Sequence, residues 1–291
     1  MESTTAMTPG HRLSTRLLLL GSAALLSLAP QRLAGQTPVP ASPDDPKDRW
    51  EVEDVQLGWC VDFLIDPTVG SRLLPKGWIG TPAEQVPGLP TGLIRSFEEN
   101  GVYKGWFAGR VCGLSARSSS IRGRPVENDK ARKPPTLVWL QIAAKDGVAG
   151  VDAVVPTLAT NTFRVRNPLG SSSIKLDDVA FETGPNPDKD DPQDGFQAKL
   201  DGATLFWKGY LTPDSMPVTP VDTLAAIFQN GVDRSYRIRV TRSGGTPNHV
   251  AGVVGVLGKG DLFTALKSSP IRMVSLVMTG GSSAVDFFEL H

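Results

Sequence analysis

Two lysines stand among aromatic residues: Lys104 in "GVYKGWF", between Tyr103 and Trp106, and Lys208 in "LFWKGY", on a strand face shared with Phe206 and Tyr210. An ammonium taken into an apolar cavity loses its hydration and its pKa falls. The neutral amine can then attack a carbonyl carbon and form a Schiff base. The alternative is an outward lysine whose methylene stem covers an aromatic ring while the ammonium stays in water. Tyr103, Trp106, Phe107 and Trp207 are candidates for the wall of a small-molecule cavity, with Arg110 as the partner of an anionic group. The basic stretch from Arg110 to Lys133 also holds Arg117, Arg122, Arg124, Lys130 and Arg132. It reads as a long mobile loop between two strands, either closing over an anionic ligand or forming a solvated face.

Several other chemistries are missing. Past the leader described below, histidine is confined to His249, in the turn after "GGTPN", and His291. No HExxH pair, Cys-rich zinc pattern, Ser-His-Asp set or phosphate loop can be assembled, so neither a metal nor a cofactor is expected. The acidic stretch of residues 182–195 contains Glu182, Asp188, Asp190, Asp191 and Asp194 but misses the calcium-loop template. Asp191 stands where that loop needs glycine and Gln197 where it needs the closing glutamate, which leaves a solvated loop as the simpler reading. Cys60 and Cys112 are the chain's two cysteines, both in strand-like segments. In an exported chain they are expected to form a disulfide, worth roughly 4 kcal/mol on the chain-entropy model. A nucleophilic cysteine would need a histidine nearby.

Export itself is read from residues 1–35. His11, Arg12 and Arg16 lead into "LLLLGSAALLSLA", residues 17–29, an apolar run too short to span a bilayer, and "RLAGQ" offers small residues for cleavage. Localisation is therefore expected to be exported, in a bacterial-type periplasm or the extracellular medium, with no stable membrane insertion once the signal is removed. Residues 36–49, "QTPVPASPDDPKDR", read as a Pro-rich flexible tether, and 50–291 as a single β-rich domain. Loss of residues 1–35 leaves 27 basic and 29 acidic residues, a formal charge of −2. That balance argues against nucleic acid as a partner.

Strand signals position these residues. In "VQLGWCVDFLI", Val55, Leu57, Trp59, Val61, Phe63 and Ile65 share one face, and Gln56, Gly58, Cys60 and Asp62 the other. In "GVYKGWFAGRVCGL", Tyr103, Phe107 and Val111 alternate with Gly105, Gly109 and Gly113 on one face, and Lys104, Trp106, Arg110 and Cys112 lie on the other. Repeated glycine in a strand marks coiling or close approach. "TLVWLQIA" reads as buried on both faces. "TFRVR", "IKLDDVAF", "FQAKL", "ATLFWKGYL", "SYRIRVT", "VAGVVGVL", "IRMVSLVM" and "AVDFFEL" read as further strands. In "SYRIRVT", Arg237 and Arg239 face water or an anion, opposite Tyr236, Ile238 and Val240. Short helices are expected at "PTVGSRLL" (67–74), at "TPVDTLAAIFQNG" (219–231), with Thr219 as N-cap, and at "GDLFTALK" (260–267). The fold class is mostly β, all-β or α+β.

"VDFLIDPTVGSRLLPKGW", a later Gly-rich aromatic strand and the ending "SPIRMVSLVMTGGSSAVDFFEL" resemble the acetoacetate decarboxylase-like superfamily, with Leu73, Leu74, Pro75 and Gly77 as the local match. The resemblance implies a curled antiparallel β barrel or cone around a small-molecule cavity. It also implies a Schiff-base lysine acting on a keto acid, carried in a Pro-Lys-Lys segment that this chain lacks. No catalytic residue is carried over, and "LLPKGW" reads as a structural turn. The leading expectation is an exported protein binding a small, partly apolar and anionic molecule in a barrel cavity. A Schiff-base lyase and a non-catalytic cell-envelope structural or interaction protein are the alternatives.

Overall fold

The structure, a computed structural model, describes residues 46, 48–126, 134–145, 153–162, 165, 175–176, 194–213, 221–230 and 234–290. The chain is mostly β and curled, as the sequence leads one to expect. Its strands are β1 (Asp48–Ile65), β2 (Ile79–Gly80), β3 (Phe107–Ile121), β4 (Arg124–Pro125), β5 (Thr136–Lys145), β6 (Ala153–Thr160), β7 (Lys175–Leu176), β8 (Asp194–Leu200), β9 (Ala203–Pro213), β10 (Val221–Asn230), β11 (Arg234–Ser243), β12 (Thr246–Gly258), β13 (Arg272–Thr279) and β14 (Ser282–Leu290). Among the described residues, helices α1 (Pro67–Leu73), α2 (Thr91–Asn100) and α3 (Asp261–Ser268) lie between strands.

The long strand β1 organises the sheet. Its first half pairs with β14, its second half with β13, and its whole length with β3. The path β3-β5-β6-β10-β11-β14-β1 therefore returns to β3, and the pairings close into a ring. All pairs in it are antiparallel except β6 with β10. Beyond β13, the strands β12, β9 and β8 form a second layer.

From Leu57 onward, alternation along β1, matched by β3, gives each strand two buried faces; before it, register shifts between Val52 and Leu57 turn Val55 to the face of Cys60. The odd residues Trp59, Val61, Phe63 and Ile65 pack with Val111, Val138 and Leu140 against Phe196, Leu205 and Trp207 of the second layer and Leu262 and Leu266 of α3. Trp59 stacks on Phe196 with ring centroids 4.1 Å apart. Gly113 makes this possible, because a Cβ there would lie within the Trp59 ring. The opposite face belongs to the ring's interior: Trp50, Val52, Cys60, Cys112, Leu114, Trp139, Ile238, Val240, Val285 and Phe287. Cys60 and Cys112 face each other across β1 and β3 with Cα atoms 4.1 Å apart and are disulfide-bonded.

Several expectations are corrected. The segment read as a helix at 219–231 contains strand β10, paired residue by residue with β11. Val221, Thr223 and Ile227 suit a strand, and a helix there would leave the backbone groups of β6 and β11 unpaired, so sheet pairing outweighs the helical spacing. The basic stretch is no long loop over its first half. β3 runs to Ile121, turns through Arg122 and Gly123, both at positive φ, and pairs back through β4. Lys130 and Arg132 lie outside the described residues. The strand expected from 101 begins at Phe107, with a turn over 101–105. β1 begins at Asp48, inside the segment read as tether, and Arg49 there grips Asp286. His249 lies in β12 and not in a turn. Helix α2 has no counterpart in the expectations. α1 and α3 stand where they were expected, α1 capped by the Asp66 side chain, which accepts from the Thr68 and Val69 amides. "TFRVR" and "IKLDDVAF", the acidic stretch except Asp194 and Gly195, and residues 1–35 fall mostly or wholly outside the described residues.

Candidate functional site

Cross-strand register turns the interior face into layers. Cys60, Cys112 and Trp139 form one row across β1, β3 and β5. Two residues further along each strand, Asp62, Arg110 and Gln141 form the next row on the same face. Beyond it, Leu64, Ala108 and Ala143 pack with Leu93 of α2 and with Ala83, Tyr103 and Trp106. A polar layer thus lies between two apolar ones, bounded on one side by the disulfide and on the other by the segment that carries α2.

Asp62 is 1% exposed and carries a two-point ion pair from Arg110, Nε to Oδ1 at 2.5 Å and Nη2 to Oδ2 at 3.0 Å. Arg110 itself is 31% exposed, so this layer reaches solvent through its guanidinium. The second cation comes from across the ring. Tyr236, Ile238 and Val240 of β11 point inward, and the next inward position is Arg242, 5% exposed. Its Nη2 donates to Cys60 Sγ at 3.8 Å, and its Nε has no acceptor among the described residues. No described carboxylate pairs with it. Burial, and then the like charge of Arg110, lower the Arg242 pKa to about 10. Trp139 Nε1, in the disulfide row, is a second buried donor without a described acceptor. A buried guanidinium is ordinarily matched by a carboxylate or phosphate, because desolvation is otherwise uncompensated. Among the described residues Asp62, Arg110, Arg242 and Trp139, donors therefore outnumber acceptors and the charge is positive.

A second buried carboxylate, Asp286, is matched by arginines. Asp286, 1% exposed, accepts from Arg49 at 2.6 Å and Arg239 at 2.9 Å, and Arg237 and Arg239 lie over the Phe288 ring. The anion that Arg239 faces is thus the protein's own. At the surface, a groove of about 330 Å³ opens beside the "LLPKGW" turn, lined by Gly77, Ile79, Gly80, Pro82, Gln85 and Lys145. Lys145 is exposed there. Leu73 and Leu74 pack onto the second-layer core, and Trp78 N closes a turn on Pro75 O.

The candidates from the sequence separate. Arg110 lies in the polar layer, and Tyr103 and Trp106 pack in the apolar layer next to it, ring centroids 5.3 Å apart. Phe107 and Trp207 lie on the opposite face of the sheet, in the core under the second layer. Lys104 is exposed in the turn before β3, and Lys208 is exposed on β9. The condition attached to both lysines, enclosure in an apolar cavity, is met by neither. Among the described side chains no lysine is buried. Asp62 and Arg242 are the residues that sequence reasoning missed. The available signal was an arginine following three apolar residues on one face of an alternating strand.

No protein-family model matches the chain, and no curated protein matches it. Among solved structures, it is similar to an acetoacetate decarboxylase-like enzyme from Sphingomonas wittichii RW1, at 13% identity over 84% of this chain and 92% of that one, with a TM-score of 0.44. It is also similar to acetoacetate decarboxylase from Legionella pneumophila, at 8% identity over 94% and 98% of the two chains and a TM-score of 0.46. A third is the enduracididine biosynthesis enzyme MppR complexed with pyruvate, at 12% identity over 91% and 94%, TM-score 0.39. The likeness is one of fold.

Proposed function

We propose that the chain is an exported β protein that binds a small, partly apolar anion inside the strand ring, with Arg242 as the anchoring cation. The observation that carries this reading is a guanidinium buried without a carboxylate partner among the described residues. An anion beside it would offset both the desolvation of Arg242 and its repulsion by Arg110. The apolar layers on either side suit the uncharged part of such a ligand. Export rests on the basic lead and short apolar run of residues 1–35. The test is thermal unfolding of the mature protein with increasing concentrations of straight-chain monocarboxylates. Wild type gains stability with ligand concentration, and Arg242→Met does not. Equal shifts in both proteins, or none in either, would remove the reading. Borohydride treatment with a panel of keto acids covers the Schiff-base alternative, and an adduct mapped to one lysine would establish it instead.

A further inference from the structure

The disulfide row holds a cation as well as a sulfur pair. Cys60 and Cys112 lie directly opposite in the β1 and β3 register and are bonded. Trp139 of β5 continues the row from Cys112, and Leu276 of β13 lies beside Cys60. From β11, Arg242 reaches the same bond, its Nη2 donating to Cys60 Sγ at 3.8 Å. Arg242 is 5% exposed and both cysteines 3%, so the contact is closed to bulk water. The approach is one-sided: among the described residues, no cation donates to Cys112 Sγ. The other charged groups flanking the bond on this face, Asp62 and Arg110, are engaged with each other. Val221 and Ser283, opposite Arg242 on β10 and β14, carry no charge.

A disulfide sulfur is a poor partner for a buried guanidinium, and a thiolate is a good one. We infer that Cys60–Cys112 is a redox couple tuned by Arg242, whose reduced form holds Cys60 as a thiolate paired with the guanidinium and Cys112 as a neutral thiol. The reductant is a dithiol. One of its sulfurs, as thiolate, attacks Cys112 Sγ, the Sγ–Sγ bond breaks, and the electron pair goes to Cys60 Sγ beside Arg242. The second sulfur then displaces Cys112 from the mixed disulfide, Cys112 takes up a proton, and the reagent leaves as its cyclic disulfide. Two electrons reach the protein. One of the two dithiol protons ends on Cys112 and the other is released, whereas without the arginine the protein would retain both.

Proton release is the readout. The inference does not depend on the proposed anion site, and bis-Tris and Tris chloride buffers free of carboxylates keep the two apart. The mature protein is equilibrated with reduced and oxidised dithiothreitol over about pH 6 to 8, where that reagent holds both protons, and the thiols are trapped by alkylation for mass analysis. Circular dichroism of the reduced protein establishes that it is folded. In wild type the equilibrium constant for reduction rises about tenfold per pH unit once Cys60 is ionised. In Arg242→Met it stays flat, and near pH 8 it lies about 10- to 100-fold below wild type. Single-cysteine variants give a second measurement by ultraviolet thiolate absorbance. Cys60 alone, in Cys112→Ala, ionises at lower pH than Cys112 alone, in Cys60→Ala, and adding Arg242→Met removes the difference. If these variants do not fold, the equilibrium series decides alone. A flat constant in wild type, an equal rise in wild type and Arg242→Met, or a reduced protein that unfolds overturns the inference.

Discussion

Replacing Arg242 by methionine should make the protein more stable while abolishing the site. The lowering of the Arg242 pKa to about 10 corresponds to about 3 kcal/mol of penalty for keeping the guanidinium charged in the folded state at neutral pH. Methionine has a similar reach, needs no hydration and can pack against the disulfide layer. The one described hydrogen bond it forfeits is the weak contact to Cys60 Sγ at 3.8 Å. A net gain of about 1–3 kcal/mol is expected, in line with other replacements of buried charge by apolar side chains. Urea unfolding in a buffer low in organic anions measures it. With a slope of about 2–3 kcal/mol/M, the midpoint should rise by roughly 0.3–1.5 M at unchanged slope. A loss of about 1 kcal/mol or more would refute the reasoning, because it would mean that Arg242 already has a charge partner in the folded protein.

The same residue has a pH signature. Its folded pKa lies below its unfolded one, so above pH 10 the folded state sheds the proton first and the penalty is relieved. The stability difference between Arg242→Met and wild type should be constant near neutrality and shrink as pH rises through 10, which paired denaturation curves would show. Replacing both Cys60 and Cys112 by alanine should cost roughly 4 kcal/mol, since the bond closes a loop with a sequence separation of 52, and the loss is read from the urea midpoint. Gly113→Ala should cost about 2–3 kcal/mol, because Trp59 is held against Phe196 and has little room to yield. Differential scanning calorimetry should then show Tm lower by about 5 °C or more.

How much of this was legible in the sequence depended on whether a residue's environment was set by its own strand. Alternation in β1 placed Cys60 on one face and Leu57, Trp59, Val61, Phe63 and Ile65 on the other, as found; Val55, read with the second group, packs instead with Cys60, because the register of β1 shifts between Val52 and Leu57. The disulfide followed from two cysteines in strand-like segments of a chain read as exported. Strand β10 was misread because its apolar spacing fits both periods and its pairing partners, β6 and β11, are distant in sequence. Lys104 and Lys208 were attractive by their aromatic neighbours. Aromatic neighbours in sequence alternate faces, however, and say little about whether a lysine points inward. Trp207 and Lys208 show this, one buried and the other exposed. The polar layer could not be seen because it depends on register: Asp62 meets Arg110 only once β1 and β3 pair, and Arg242 reaches Cys60 only once β11 lies in the same closed ring.

The most direct measurement is of the Arg242 side chain itself. Nitrogen-15 NMR of arginine Nε–H groups, with Arg242→Met to assign the resonance, reports hydrogen bonding at that atom as a monocarboxylate is added. The expected result is a saturable shift and slowed solvent exchange of the Arg242 Nε–H, at concentrations that also raise Tm. An Arg242 resonance that stays fixed while a monocarboxylate stabilises the protein would place the anion elsewhere and contradict the proposed site.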